Sequence, residues 1–150
     1  MRVIELHFGF AVMFFFAWTG FSGVCCAEQR RVETPAALLA ACKEASGGDL
    51  IVIEGEDWLD VRLKIRLAGS DKRPVTIRSE VTWSGESSFE IIGEHVVLDG
   101  FVFRKGSLSS GHVMKVRGSD CRVTRCVFDH YNPEKNSTRY HWLSLFGHHQ

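Results

Sequence analysis

The chain has 150 residues, 45% of them hydrophobic and 11% aromatic. That is enough to bury the core of one domain, and it excludes a disordered or low-complexity polypeptide. Eighteen basic and eighteen acidic side chains cancel, so no global field points to nucleic acid or an anionic membrane as partner, and a charged ligand must be held by a local patch.

Residues 1–27 differ in character from the rest. Arg2 precedes an apolar run over 8–24, which closes on Cys25, Cys26 and Ala27 before Glu28, Gln29, Arg30 and Arg31. This pattern predicts a secretory signal peptide cleaved after Ala27, leaving a domain over 28–150 that is secreted or periplasmic, with no stable membrane association. A membrane anchor is the alternative, although the run falls short of the ~20 apolar residues of a span. A lipoprotein site is a weaker reading, because no small residue precedes either cysteine as such a site requires. Loss of Arg2 and Glu5 keeps the mature chain neutral. Export to an oxidising compartment permits disulfides, but Cys42, Cys121 and Cys126 are an odd number and argue against a disulfide framework.

Thr34 and Pro35 followed by residues 36–45 predict a short helix: a hydroxyl N-cap, proline in the first turn, and Leu38, Ala41, Cys42 and Ala45 on one face. Gly47 and Gly48 end it. Residues 49–53 read as a strand. Residues 60–67 alternate Val61, Leu63, Ile65 and Leu67 with Arg62, Lys64 and Arg66, giving a strand with an apolar inner face and a basic outer one. Residues 69–73 read as a turn, 74–78 as a further strand and 79–88 as a polar connection.

The next two segments, 89–103 and 114–128, repeat each other at a spacing of 25 residues. Phe89 matches Met114, Ile91 matches Val116, Gly93 matches Gly118, Val96 matches Cys121, Leu98 matches Val123, Phe101 matches Cys126 and Phe103 matches Phe128. Within each copy the apolar residues form alternating pairs, the period of a strand with one buried face. Three short strands per repeat, with a glycine at a corner, describe one coil of a parallel β-helix, whose stacking sets like residues over like. Leu143, Leu145 and Gly147 begin a third copy at a spacing of 29, the extra length falling in a loop over 132–138. The expected stack is two and a half coils with a capping helix ahead of it. Its other end is uncovered near Leu143, Leu145 and Phe146, so the isolated chain is expected to be prone to aggregate.

No phosphate-cradling loop, nucleophile elbow or zinc-spaced set is present. Cys121 and Cys126 stand at ladder positions and read as buried thiols. Asn136, Ser137 and Thr138 fit a glycosylation acceptor, a triplet frequent by chance. Arg62, Lys64 and Arg66 suit an acidic polymer, with a solvated strand face as the plainer alternative. Arg117, Arg122 and Arg125 extend the basic theme. Arg139, Tyr140, His141 and Trp142 could hold a sugar ring and its carboxylate, or Tyr140 and Trp142 could simply brace the loop. His148 and His149 have no third ligand in view and read as turn histidines rather than a metal pair, and Asp129 with His130 has no visible nucleophile to serve.

Taken in order, Gly47-Gly48-Asp49-Leu50-Ile51-Val52, Lys72-Arg73-Pro74-Val75-Thr76-Ile77-Arg78, Val97-Leu98-Asp99-Gly100-Phe101-Val102-Phe103, Cys121-Arg122-Val123-Thr124-Arg125-Cys126 and the run from Arg139 through Trp142 to Gly147 resemble the N-terminal coils of polysaccharide lyase family six. These are the alginate lyases and the relatives of chondroitinase B. The resemblance implies an all-β, right-handed parallel β-helix that cleaves uronate-containing polysaccharides by β-elimination, with acidic polysaccharide as partner and calcium as cofactor. It also implies that the catalytic lysine and arginine and the calcium ligands lie on coils beyond residue 150. No residue here is therefore expected to be catalytic or to bind metal. Arg139, Tyr140, His141, Arg62, Lys64 and Arg66 are substrate-binding candidates. A non-catalytic module that binds acidic glycans or serves at a surface is the alternative.

Overall fold

The computed structural model describes residues 27–133 and 139–148. The predicted leader therefore lies outside the described residues except for Ala27, as do the acceptor triplet and His149. Among the described residues no helix is long and apolar enough to cross a membrane.

Strand β1 (Gln29–Val32) is followed by helix α1 (Pro35–Glu44) and then by β2 (Leu50–Ile53), β3 (Trp58–Leu59) and β4 (Arg62–Ala68). Next come β5 (Val75–Ser79), β6 (Thr82–Gly85), β7 (Ser88–Glu94), β8 (Val96–Asp99), β9 (Val102–Gly106) and β10 (Gly111–Ser119). The last strands are β11 (Arg122–Thr124), β12 (Val127–Tyr131) and β13 (Tyr140–His148). They form three sheets, ordered β1-β2-β5-β8-β11, β13-β10-β7-β4 and β12-β9-β6-β3. The strand pairings are parallel throughout. This is a parallel β-helix, with β1 opening the stack and three-stranded turns following it.

The register expected from the repeat is the register observed. Met114 pairs with Phe89, Val116 with Ile91 and Gly118 with Gly93. Val123 pairs with Leu98, Phe128 with Phe103, and Met114 with Leu143. The expected extent of two and a half coils was too small: β2, β3 and β4, and then β5 and β6, precede the repeated segments and stack beneath them in the same three sheets. The stretch 79–88 is not merely a polar connection. It contains β6, whose single inward residue, Trp83, is fully buried. β1 also went unanticipated, because its Arg30 and Arg31 face outward to Glu28, Glu44 and Glu54 and only Val32 is buried.

Helix α1 forms as its sequence dictates. The Thr34 hydroxyl accepts from the Ala37 amide at 3.2 Å, satisfying one orphan donor of the first turn. Leu38, Ala41 and Cys42 are buried against β1, β2 and β4, so the helix closes the apolar end of the stack as terminal caps do in repeat proteins. It lies between β1 and β2 rather than ahead of every strand. Asp49 fastens this end, accepting from the amides of Glu28 at 3.0 Å and Ser46 at 2.8 Å. Those two bonds hold its carboxyl below the usual range.

Inside the coils an aromatic ladder runs Trp58, Trp83, Phe103, Phe128 along one sheet. Trp58 and Trp83 meet edge to face at 4.7 Å between ring centroids, and Phe103 and Phe128 stack at 5.4 Å. Such pairs contribute about 1 kcal/mol beyond the apolar area they bury. Polar groups inside are matched: the Trp83 indole donates to the Ser79 hydroxyl at 3.0 Å. The fully buried Tyr131 hydroxyl lies 2.8 Å from the Gly85 carbonyl and 2.7 Å from that of Ser87, and burial pushes it up to about 12.

Two features fix the backbone at the corners. A Cβ on Gly118 would sit 1.7 Å from the Gly93 carbonyl oxygen, and one on Gly93 would sit 1.8 Å from that of Leu67. This column is glycine because adjacent coils touch there, and at Gly118 the φ of +137° adds a second reason. At the next corner Gly100 has φ +74°, and Arg125, one coil later, keeps φ +55° with a side chain. Arg125 is held by its guanidinium fork on the buried Asp99, Nε to Oδ1 at 2.6 Å with Nη2 on Oδ2, while Arg78 Nε reaches the same carboxylate at 3.0 Å. The Arg125 fork, opposed by burial and helped by Arg78, lowers the Asp99 pKa.

The three cysteines among the described residues are free, Cys42 and Cys121 buried and Cys126 half-buried. Burial raises all three thiols, Cys42 to about 11. At the far end, Trp142, Leu143, Leu145 and Phe146 are 38–48% exposed along the edge strand β13.

Gly118→Ala should lower the unfolding free energy by roughly 3 kcal/mol or more. Gly111→Ala, where an added atom meets nothing within 4 Å, should cost less; chemical denaturation compares the two, and equal losses would remove the close-approach argument. The depressed Asp99 carboxyl stabilises the fold above its unfolded value of ~3.9, and that contribution fades as pH falls through the folded value. Asp99→Asn should therefore cost roughly 2 kcal/mol at neutral pH and flatten the acid limb of a pH–stability curve. Leu145→Lys should raise the concentration at which the chain stays unaggregated in light scattering, by charging an open strand edge.

Candidate functional site

The outer face of the β13-β10-β7-β4 sheet collects the charged residues. Because the strands pair in register, Lys64, Glu90, Lys115 and Ser144 form one row across it, with steps of about 4.8 Å. Arg66, Ile92, Arg117 and Phe146 form the next. Glu90 sits between cations, 3.6 Å from Lys64 Nζ and 3.7 Å from Arg117 Nη1. Its Oε1 is buried and accepts no hydrogen bond among the described residues. Arg62 pairs with Glu86, donating from Nε to the Glu86 carbonyl at 3.1 Å and from Nη2 to its carboxylate. Arg66 is exposed and makes no ion pair among the described residues.

Val113 and Met114 are both fully buried, which interrupts the inward and outward alternation of β10. His112 accordingly shares a side with Lys115 and Ser144, and its Nδ1 shares a 2.7 Å hydrogen bond with the Ser144 hydroxyl. Its ring stacks on His141 at 5.1 Å and meets Phe146 edge to face at 5.9 Å, while Lys115 Nζ lies 5.5 Å from the Phe146 ring. Burial first, then Lys115 and His141, hold His112 below the ordinary imidazole value against a smaller pull from Glu90. A groove of about 330 Å³ opens here, lined by Arg62, Lys64, Lys115, Glu90 and His112, with Leu63, Leu108, Ser88 and Ser110 among the remaining walls.

At the other edge of the sheet Tyr140 and Trp142 both donate to the Tyr131 carbonyl, the indole at 2.7 Å. Trp142 stacks over Phe128 at 6.4 Å. Both residues thus brace β13 against β12, and burial raises the Tyr140 phenol. A shallower hollow of about 640 Å³ runs past Asn132, Tyr140, His141 and Trp142.

The two predicted groups therefore share one sheet, Arg62, Lys64 and Arg66 on β4 and Arg139, Tyr140 and His141 at the start of β13, with β7 and β10 between them. His141 lines the shallower hollow and stacks on His112, which lines the groove. Sequence reasoning missed Glu90, His112, Lys115 and Ser144; the signal lay in the outward positions of the repeat, where Glu90 and Lys115 correspond. The remaining basic candidates separate: Arg117 joins Glu90, Arg125 holds Asp99, and Arg122 is exposed on β11. Asp129 bonds His130 Nδ1 at 2.5 Å and Arg104 Nε at 2.9 Å on the β12 face. Among the described residues no group of three His, Cys, Asp or Glu side chains could hold a metal ion.

A mutant of the alginate lyase AlyGC shares 29% identity with this chain at a TM-score of 0.72, covering 81% of this chain and 18% of that one. A family 6 polysaccharide lyase from Pseudopedobacter saltans shares 30% at a TM-score of 0.68, covering 76% and 28%. A mannuronic acid specific family 6 lyase from human gut microbiota, at 20% identity and a TM-score of 0.59, covers 76% and 30% and is similar in fold. The chain thus spans less than a third of the length of each of these structures. No curated protein matches it. The sequence profile of chondroitinase B matches residues 32–150, and with the β-helix and its register in place the chain belongs to the chondroitinase B family of polysaccharide lyases.

Proposed function

We propose that this chain supplies coils of an exported polysaccharide lyase that cleaves a uronate-containing polymer, of alginate or chondroitin and dermatan type, by β-elimination. The observation that carries this reading is the family match over residues 32–150. Solved relatives named as alginate lyases support the uronate substrate. The apolar leader supports a secreted or periplasmic location.

The chemistry sets what such a protein must do. The proton beside a uronate carboxylate is weakly acidic, so a base can remove it only if the carboxylate charge is neutralised while the glycosidic oxygen leaves. Calcium, held by oxygen ligands, would supply that neutralisation in the complete enzyme. Among the described residues no three His, Cys, Asp or Glu side chains come together to hold it, so no step is assigned to calcium here and no residue of this chain is assigned to bond cleavage.

The role left to these coils is to hold the polymer. Arg62, Lys64 and Arg66 offer positive charge on β4 and Arg139 offers it just ahead of β13, where His141 presents an imidazole ring. With its hydroxyl proton on the Tyr131 carbonyl, Tyr140 contributes a ring rather than a proton. Purified chain should bind alginate or chondroitin-type polymer saturably, with affinity falling as salt rises, and should release no unsaturated product by absorbance. Absence of binding to either polymer would remove the reading. Unsaturated product from these residues alone would overturn the placing of bond cleavage outside them.

A further inference from the structure

We propose that Lys64, Lys115 and His112 form a binding subsite for one sugar carboxylate of an acidic polysaccharide, and that Glu90 is a built-in competitor for that subsite. The inference rests on the acidic-polymer reading above and locates it. The two lysines flank Glu90 in one row of the sheet, so a carboxylate at the row's centre is already the arrangement the protein uses. Glu90 fills that place incompletely. Its contacts to Lys64 and Arg117, at 3.6 and 3.7 Å, are ion pairs longer than hydrogen bonds, and its Oε1 is buried without a hydrogen bond. The cations around it keep donors for a second anion.

The groove at this row has the dimensions and chemistry of a sugar site. Its volume of about 330 Å³ lies at the small end of ligand pockets. Leu63 and Leu108 give it an apolar wall suited to the C–H face of a pyranose, and Ser88 and Ser110 carry hydroxyls that match those of a sugar. Arg62 closes one side, but its guanidinium is already on Glu86.

His112 makes the subsite sensitive to pH. The charged and titratable groups facing it are Lys115 on its own strand, His141 on β13 and Glu90 on β7. Lys115 and His141 disfavour the imidazolium in the free protein. A bound carboxylate would favour it, so binding should take up a proton and tighten as pH falls from neutral towards the ordinary imidazole value of ~6.5.

The test is calorimetric titration of the full chain with an alginate tetrasaccharide. Lys64→Gln and Lys115→Gln should each weaken binding roughly fivefold, the range of partly exposed ion pairs. Glu90→Gln should strengthen it, a gain that a merely structural Glu90 would not give. NMR titration should show the His112 pKa rising when the tetrasaccharide is added, and His112→Asn should flatten the pH dependence of affinity. All four sites are on the outer face, and unchanged circular dichroism checks that each variant folds. Weaker or unchanged binding by Glu90→Gln, or an unmoved His112 pKa, overturns the subsite. If the parent chain binds and no variant alters its affinity, the polymer lies elsewhere and the acidic-polymer reading stands without this subsite. If the parent chain binds neither alginate nor a chondroitin-type chain, both are wrong.

Discussion

Parallel stacking in strict register is the constraint on which everything else in this protein depends. Each backbone N–H and C=O of a central strand bonds the coil on either side, so a residue cannot move without its equivalents in adjacent coils. Inside, this produces columns: Ile51, Ile77, Leu98 and Val123 in one sheet, and Trp58, Trp83, Phe103 and Phe128 in another. Where two coils come too close for any side chain, the column is Gly93, Gly118 and Gly147. The corners carry the cost of turning the chain, and the Asp99 carboxylate, gripping Arg78 from one coil and Arg125 from another, holds one of them.

The same register governs the outside, where it creates an electrostatic problem. Like charges directly opposite on neighbouring strands repel. The basic row is tolerable because Glu90 falls between Lys64 and Lys115, and Ile92 separates Arg66 from Arg117. An acid that relieves repulsion on this face is also an acid in the way of an anionic ligand. Stability and binding therefore act on one side chain in opposite directions, a conflict often found where local consistency gives way to function.

Much of this architecture was legible in the sequence because inward positions repeat. Phe89 and Met114, Ile91 and Val116, and Gly93 and Gly118 announce their pairing at one spacing, and the cap of Thr34 and Pro35 announces the helix. The earlier turns were not legible as turns because their corners differ in length. Leu63 and Phe89 pair at a separation of 26, whereas Ile77 and Leu98 pair at 21, so a single offset finds neither. Trp83 was hidden because a strand with one inward residue has no period. The candidate site was half legible. Arg62, Lys64 and Arg66 stand out by alternation, but His112 reaches the groove only because Val113 and Met114 are both buried, a break in alternation that no pattern rule anticipates. Tyr140 and Trp142 have the composition of a sugar contact, yet their polar hydrogens are spent on one backbone carbonyl.

The most direct measurement of the account is hydrogen exchange of the full chain with and without alginate oligosaccharide, resolved by peptide. The account predicts that added protection concentrates in β4, β7, β10 and the 107–110 segment, the elements whose register builds the charged row and its groove. Protection confined to the β1-β2-β5-β8-β11 sheet, or spread evenly over all three sheets, would contradict it.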